Sequence, residues 1–203
     1  MRILHIAFIV ILGLVSMAFG GTKPPKQYEK EFYVFKNRGD RSNHFIPSGW
    51  MGDYGDLKYN PGYYPDAKDQ TNTCIKITYS GERKQGAGWA GIYWQFPANN
   101  WGDKNGGFDL SGYSEISFKV RGDKGDEYID KFFFGGITGN GADGDTDYAE
   151  SEPIVCSTEW KTITISLKGL KMSNIIGGFG FSVNSDMNIS PIAFYIDEIK
   201  YTK

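Results

Sequence analysis

The sequence predicts an all-β protein, a two-sheet antiparallel β-sandwich. Three observations predict it. Short segments alternate apolar and polar residues with the two-residue period of a strand. Clusters of Gly, Asp and Asn divide those segments. No window carries a sustained helical period with capping residues. The composition agrees, because 27 glycines and 16% aromatic residues in 203 positions suit Gly-rich turns between aromatic strands.

The N-terminus has a separate character. Met1 and Arg2 precede a nearly uncharged run, Ile3 to Phe19, and Ala18-Phe19-Gly20 places small residues where a signal peptidase cuts. The run falls short of the roughly 20 apolar residues that span a bilayer. Residues 1–20 therefore read as a signal peptide, 21–30 as a polar lead-in and 31–203 as the sandwich. The expected location is secreted, periplasmic or on the cell surface, with no transmembrane segment once the leader is removed. Loss of Arg2 leaves 21 basic residues against 24 acidic ones, a charge of -3 with His neutral. A mildly acidic domain without basic runs argues against nucleic acid as a partner.

The strands follow in order. Glu31 to Lys36 carries Phe32, Val34 and Phe35. Asn37 to Asn72 reads as a long irregular region, broken by Pro47, Gly49, Gly52, Gly55, Pro61, Gly62 and Pro65. Cys74 to Tyr79 puts Ile75, Ile77 and Tyr79 on one face. Gly88 to Phe96 sets Ala90, Ile92, Trp94 and Phe96 towards a core, and Trp89, Gly91, Tyr93 and Gln95 away from it. Glu115 to Arg121 points Ile116, Phe118 and Val120 inward. Ile129 to Ile137 is aromatic and Gly-rich. Trp160 to Leu167 turns Ile163, Ile165 and Leu167 inward. Ile176 to Val183 and Ala193 to Tyr201 complete the set. In the last strand Phe194 and Ile196 are out of phase with Ile199 and Tyr201, and a bulge near Asp197 repairs the pattern. Asn140 to Glu152 is acidic and reads as a solvated hairpin tip. Its Asp143, Asp145 and Asp147 have the spacing that opens a calcium loop, without the later Gly and Glu.

Cys74 and Cys156 each adjoin a strand start. In an exported protein the two are expected to form a disulfide, and the alternative is two buried free thiols.

The aromatic group carries the functional signal. Trp89, Tyr93, Trp50 and Trp101 lie close in sequence, and Gly91 leaves space between two outward rings. Flat rings cover the apolar faces of sugars, while Gln95, Arg121 and Asp53 supply polar groups for the hydroxyls. The competing reading makes most of these rings core.

The motifs Trp89-Ala90-Gly91-Ile92-Tyr93-Trp94-Gln95, Phe108-Asp109-Leu110-Ser111-Gly112 and Phe118-Lys119-Val120-Arg121-Gly122 resemble those of bacterial galactose-binding-like jelly rolls. Ile176-Gly177-Gly178-Phe179-Gly180 and Phe194-Tyr195-Ile196-Asp197-Glu198-Ile199 extend the likeness to residue 203. The chain is similar to carbohydrate-binding modules of families 4, 11 and 22. The resemblance implies a jelly-roll sandwich that binds a polysaccharide or oligosaccharide. It also implies a structural calcium held by Asp197, with Asn37 as the N-terminal candidate ligand.

Catalysis finds less support. A glycosidase needs two positioned carboxylates, and neither Glu115 nor the Asp126, Glu127, Asp130 group has the alternate-position partner. His44 is the sole histidine after the leader, so no Ser/His/Asp or zinc set forms. Three readings stand: a secreted non-catalytic glycan-binding module, a structural surface or assembly protein without sugar binding, and a small polysaccharide-degrading enzyme.

Overall fold

Alternation along the chain becomes two facing antiparallel sheets. The computed structural model describes residues 28–139 and 144–203. The expected signal peptide, most of the lead-in and Asp143 lie outside the described residues. The strands are β1 (Glu31–Phe35), β2 (Ile46–Gly52), β3 (Leu57–Tyr63), β4 (Cys74–Tyr79), β5 (Trp89–Gln95), β6 (Glu115–Gly122), β7 (Tyr128–Ile129), β8 (Lys131–Gly135), β9 (Tyr148–Glu150), β10 (Ile154–Val155), β11 (Lys161–Ser166), β12 (Gly177–Asn184) and β13 (Ile192–Thr202). A single 3-10 turn, Tyr54–Asp56, precedes β3.

The front sheet runs β2-β5-β12-β8-β9. The back sheet runs β11-β6-β13-β4-β3, with β1 also on β13. A short ribbon joins β7 to β10. The inward residues expected from alternation meet between the sheets. Ile75, Ile77, Ile116, Phe118, Val120, Phe194 and Ile196 pack against Ala90, Ile92, Trp94, Phe132, Phe134, Phe179 and Phe181 in one buried cluster. Trp94 is 1% exposed, with ring centroids 5.5 Å from Phe179 and 6.0 Å from Tyr59. Phe96, expected in this core, lies past the end of β5 and is exposed. The bulge in β13 falls where the phase change put it: the register with β6 shifts between Asp197 and Lys200, and Glu198 adopts φ 48°.

The region 37–72 is not irregular, because β2 and β3 occupy it. Both are edge strands. Pro47 and Gly49 flank the register shift between β2 and β5, and Pro61 and Gly62 sit in the shift between β3 and β4. Proline is tolerated at such edges and bulges because the missing N–H faces away from the ladder. The acidic segment is also built into the fold. β9 pairs with β8, and Asp145 and Asp147 accept backbone N–H groups from residues distant in sequence.

Cys74 and Cys156 are free, buried thiols, which corrects the expected disulfide. Cys74 precedes Ile75, which pairs with Ile196 of β13. Cys156 packs on Gly122, which lies opposite Phe194 on the other side of β13. Two strand spacings of about 4.8 Å and a stagger along the strand separate the sites. That exceeds the Cα separation of roughly 4.4–6.8 Å that a disulfide needs. Burial pushes both thiols up to about 12. Unreduced protein is expected to titrate two thiols after denaturation and none before; a denatured protein without free thiol would contradict the assignment.

Candidate functional site

The outer face of the front sheet carries the site. Cross-strand pairs fix which side chains share that face. Met51 lies opposite Gly91. Gly91 lies opposite Ser182, and Tyr93 opposite Gly180. Phe133 lies opposite Gly180, and Lys131 opposite Ser182. Tyr148 and Glu150 follow on β9. At the centre the face is therefore floored by Gly91, Gly180 and Ser182. A Cβ on Gly91 would come within 2.4 Å of the Phe181 carbonyl, and one on Gly180 within 2.6 Å of the Phe133 ring. Only glycine leaves the floor this low.

Around the floor stand rings. Trp89 is 40% exposed, Trp101 47% and Tyr148 39%. With Met51, Phe133 and Ile137 they enclose a cleft of about 630 Å³. That volume suits a small ligand or a short stretch of a polymer. Tyr93 is 5% exposed, so it is floor rather than platform. Its ring packs edge-on to Phe133 at 5.0 Å and Trp101 at 6.1 Å, and its hydroxyl donates to the Gly135 carbonyl. Burial pushes its phenol well above the usual range, so it stays a neutral apolar wall.

Polar groups rim the cleft. Lys131 Nζ lies 2.7 Å from Glu150 Oε2, and the Tyr148 hydroxyl donates to the same carboxylate. The Glu150 contact raises the Lys131 pKa, and Lys131 in turn lowers that of Glu150. Both side chains are substantially exposed, so the pair contributes only about 0–1 kcal/mol to stability. Asp130 accepts a bond from the Asn184 amide, and burial raises its pKa.

Trp101 owes its position to two buried polar side chains. The Gln95 amide donates to the Asn100 carbonyl at 2.9 Å and accepts from Ser48 Oγ at 2.9 Å. Asn100 closes the turn by accepting the Gly102 N–H at 3.0 Å and donating to the Lys104 carbonyl at 2.9 Å. Gln95 is thus a support of the Trp101 loop, with its amide already engaged.

Other expected residues lie elsewhere. Trp50 pairs with Ile92, so it points to the core side of edge strand β2, where it meets Tyr59 edge-on. Asp53 is buried and accepts the backbone N–H groups of Gln85, Ala87 and Gly88 at 2.7, 3.0 and 2.6 Å. Burial opposes its charge, but these bonds hold its carboxyl below the usual range. Arg121 stands on the opposite sheet, stacked 3.9 Å from the Tyr195 ring. Met51, Asp130, Lys131, Phe133, Tyr148 and Glu150 join the site without having stood out in the sequence. The run Lys131-Phe132-Phe133-Phe134 held a usable signal, since consecutive rings require apolar cover on both faces of β8.

Asp197 is 3% exposed. Its Oδ1 accepts the Glu198 N–H at 2.8 Å, and its Oδ2 has a long contact of 3.4 Å from the Asn72 amide. Burial pushes its carboxyl up to about 6. Asn37 Oδ1 accepts the Thr73 N–H at 2.7 Å, so Asn37 and Asp197 border the same short segment. Among the described residues no three His, Cys, Asp or Glu side chains cluster.

Comparison with known proteins bears on the family and the fold. The family model for carbohydrate binding domain 30 matches residues 38–203. A family 30 carbohydrate-binding module superposes with a TM-score of 0.53 at 15% identity, covering 85% of this chain and 87% of that one. The family 30 module of a cellulosomal cellulase from Clostridium thermocellum gives 0.53 at 15% identity, with 85% and 97% covered. A variant of a family 29 module gives 0.50 at 14% identity, with 86% and 92% covered. No curated protein matches the sequence.

Proposed function

The chain belongs to the carbohydrate binding domain 30 family, and from that premise we propose that its front-sheet cleft binds a polysaccharide chain without cleaving it. The carrying observation is the glycine-floored trough between exposed Trp89, Trp101 and Tyr148. Rings on the walls cover the apolar faces of successive sugars, while Asp130, Lys131, Ser182 and Glu150 reach the hydroxyl rims. Because Tyr93, Gln95 and Asn100 are locked by hydrogen bonds, the trough is largely formed before ligand arrives, which lowers the ordering cost of binding. Titration with soluble β-glucans is expected to change tryptophan fluorescence saturably and to release no reducing sugar. A flat titration across a polysaccharide panel would sink the reading. Export through the 1–20 leader fits a ligand that lies outside the cytoplasm.

We also propose that Asp197 anchors a structural calcium. The fit rests on a buried carboxylate at a bulge with only one short hydrogen bond, which a hard cation would stabilise. The amide oxygen of Asn37 would join it only by releasing Thr73. Burial pushes the Asp197 carboxyl up from the ordinary aspartate range to about 6 in the fold. In the metal-free protein its contribution to stability is therefore present at low pH and lost as pH rises through about 6. Calcium reverses that loss by binding the ionised form. Chelator is expected to lower Tm at pH 7.5, added calcium to restore it, and neither to act much at pH 4.5. Equal Tm with and without chelator at pH 7.5 would remove the calcium.

A further inference from the structure

Arg121 leaves a question, because it lies on the sheet that faces away from the cleft. On the outer face of the back sheet, Tyr195 of β13 pairs directly with Lys76 of β4 and with Arg121 of β6. The Arg121 guanidinium lies 3.9 Å from the Tyr195 ring and 5.2 Å from Trp160, just before β11. Lys76 Nζ lies 5.0 Å from the Tyr63 ring of β3 and 5.4 Å from Tyr195. Rings and cations thus alternate in one row, Tyr63, Lys76, Tyr195, Arg121, Trp160, that crosses the whole sheet.

The charges of this row are available. Lys119 and Lys200 on the same face are matched by Glu198 and Glu31 at 2.6 and 2.5 Å. Lys76 and Arg121 form no such ion pair among the described residues. Asp123 accepts the Tyr195 hydroxyl at 2.6 Å. Arg121 uses one N–H on the Gly122 carbonyl at 3.1 Å, which leaves most of its fork open. Ring contact holds each long side chain along the sheet, so less rotamer freedom is lost when an anion binds.

We propose that this row is a second ligand site, which takes an extended anionic polysaccharide carrying carboxylate or sulfate groups. Its shape selects the occupant. Four strand spacings of about 4.8 Å make it about 19 Å long, and it is a single residue wide. The two cations stand on strands two spacings apart and both reach over the Tyr195 ring, so their charges lie within about 9 Å of each other, on a face flanked by the hydroxyls of Thr78 and Thr162. A protein partner would need roughly 800 Å² per side around an apolar centre, whereas a narrow row of cations and hydroxyls matches a polymer with repeated negative charge. This site is independent of the cleft.

The test is affinity electrophoresis through polygalacturonate, dextran sulfate and neutral dextran at about 10 mM salt, where screening is weak. Retardation is expected in one or both charged polymers and not in dextran. Polygalacturonate alone would assign carboxylated glycans, dextran sulfate alone sulfated ones, and both their shared anionic chemistry. The K76Q/R121Q protein is expected to bind roughly tenfold more weakly, while W89A binds these polymers like wild type. Circular dichroism checks the fold of each variant; if the double variant does not fold, K76Q and R121Q singly carry the test. No retardation in either charged polymer, or equal retardation of folded K76Q/R121Q, overturns the site. Loss in W89A would overturn it by placing the polymer in the cleft, and β-glucan titration reports separately on the cleft itself.

Discussion

Trp89→Ala is expected to weaken β-glucan binding by roughly thirtyfold, about 2 kcal/mol, with no change in melting temperature beyond a few degrees. Trp89 opens β5 with its ring on the cleft side, and 40% of its surface is uncovered in the free protein. It therefore contributes little to the fold and much of its area to a ligand. A sugar stacked there would lose both dispersion contact and the exclusion of water from its hydroxyl bonds. Trp101→Ala should weaken binding similarly, because that ring stands on the supported turn at the other side of Tyr93. Calorimetry on both variants provides the measurement. Arg121→Gln, on the opposite sheet, should leave β-glucan affinity unchanged. Equal affinity of wild type, Trp89→Ala and Trp101→Ala would take the ligand out of this cleft.

Trp94→Ala is expected to cost about 3–5 kcal/mol of folding stability. Trp94 neighbours Tyr93 in sequence, yet strand alternation sends it into the core, where it meets Tyr59, Phe179 and Phe181. Rings of both sheets converge on it, so truncation leaves a cavity that rigid strands cannot close. Against a typical total of about 5–15 kcal/mol, this is a large share. Urea denaturation measures the change directly. A loss under about 1 kcal/mol would mean that the sheets close over the gap, contrary to the packing described.

Those two tryptophans show how far alternation alone can be read. The pattern of β5 separated Trp94 from Trp89 correctly, and the same reasoning placed Ile75, Ile116, Phe118 and Phe194 in the core. The phase break in β13 announced its bulge. The resemblance to carbohydrate-binding jelly rolls held, and the family whose model matches is carbohydrate binding domain 30. Where prolines interrupted the pattern, the reading failed. β2 and β3 carry Pro47 and Pro61 at register shifts, and only a sheet edge makes those positions acceptable. The acidic stretch does belong to a β8–β9 hairpin with Glu150 and Glu152 exposed, but not all of its acids serve solvent. Asp145 accepts the Ile137 and Gly177 N–H groups, so its polarity serves buried backbone rather than solvent.

By itself the sequence determined the class of fold, the inward and outward faces of the regular strands, and the aromatic supply from which a site could be made. Those are local properties, written in a two-residue period and in side-chain chemistry. Only the tertiary structure decided which aromatic and polar residues meet. Strand order set Phe133 and Tyr148 beside Trp89, carried Arg121 to the far sheet, and used Gln95 and Asp53 to hold backbone. The physical reason is that pairing between strands distant in the chain is settled by packing of the whole core, and no short window of sequence contains that information.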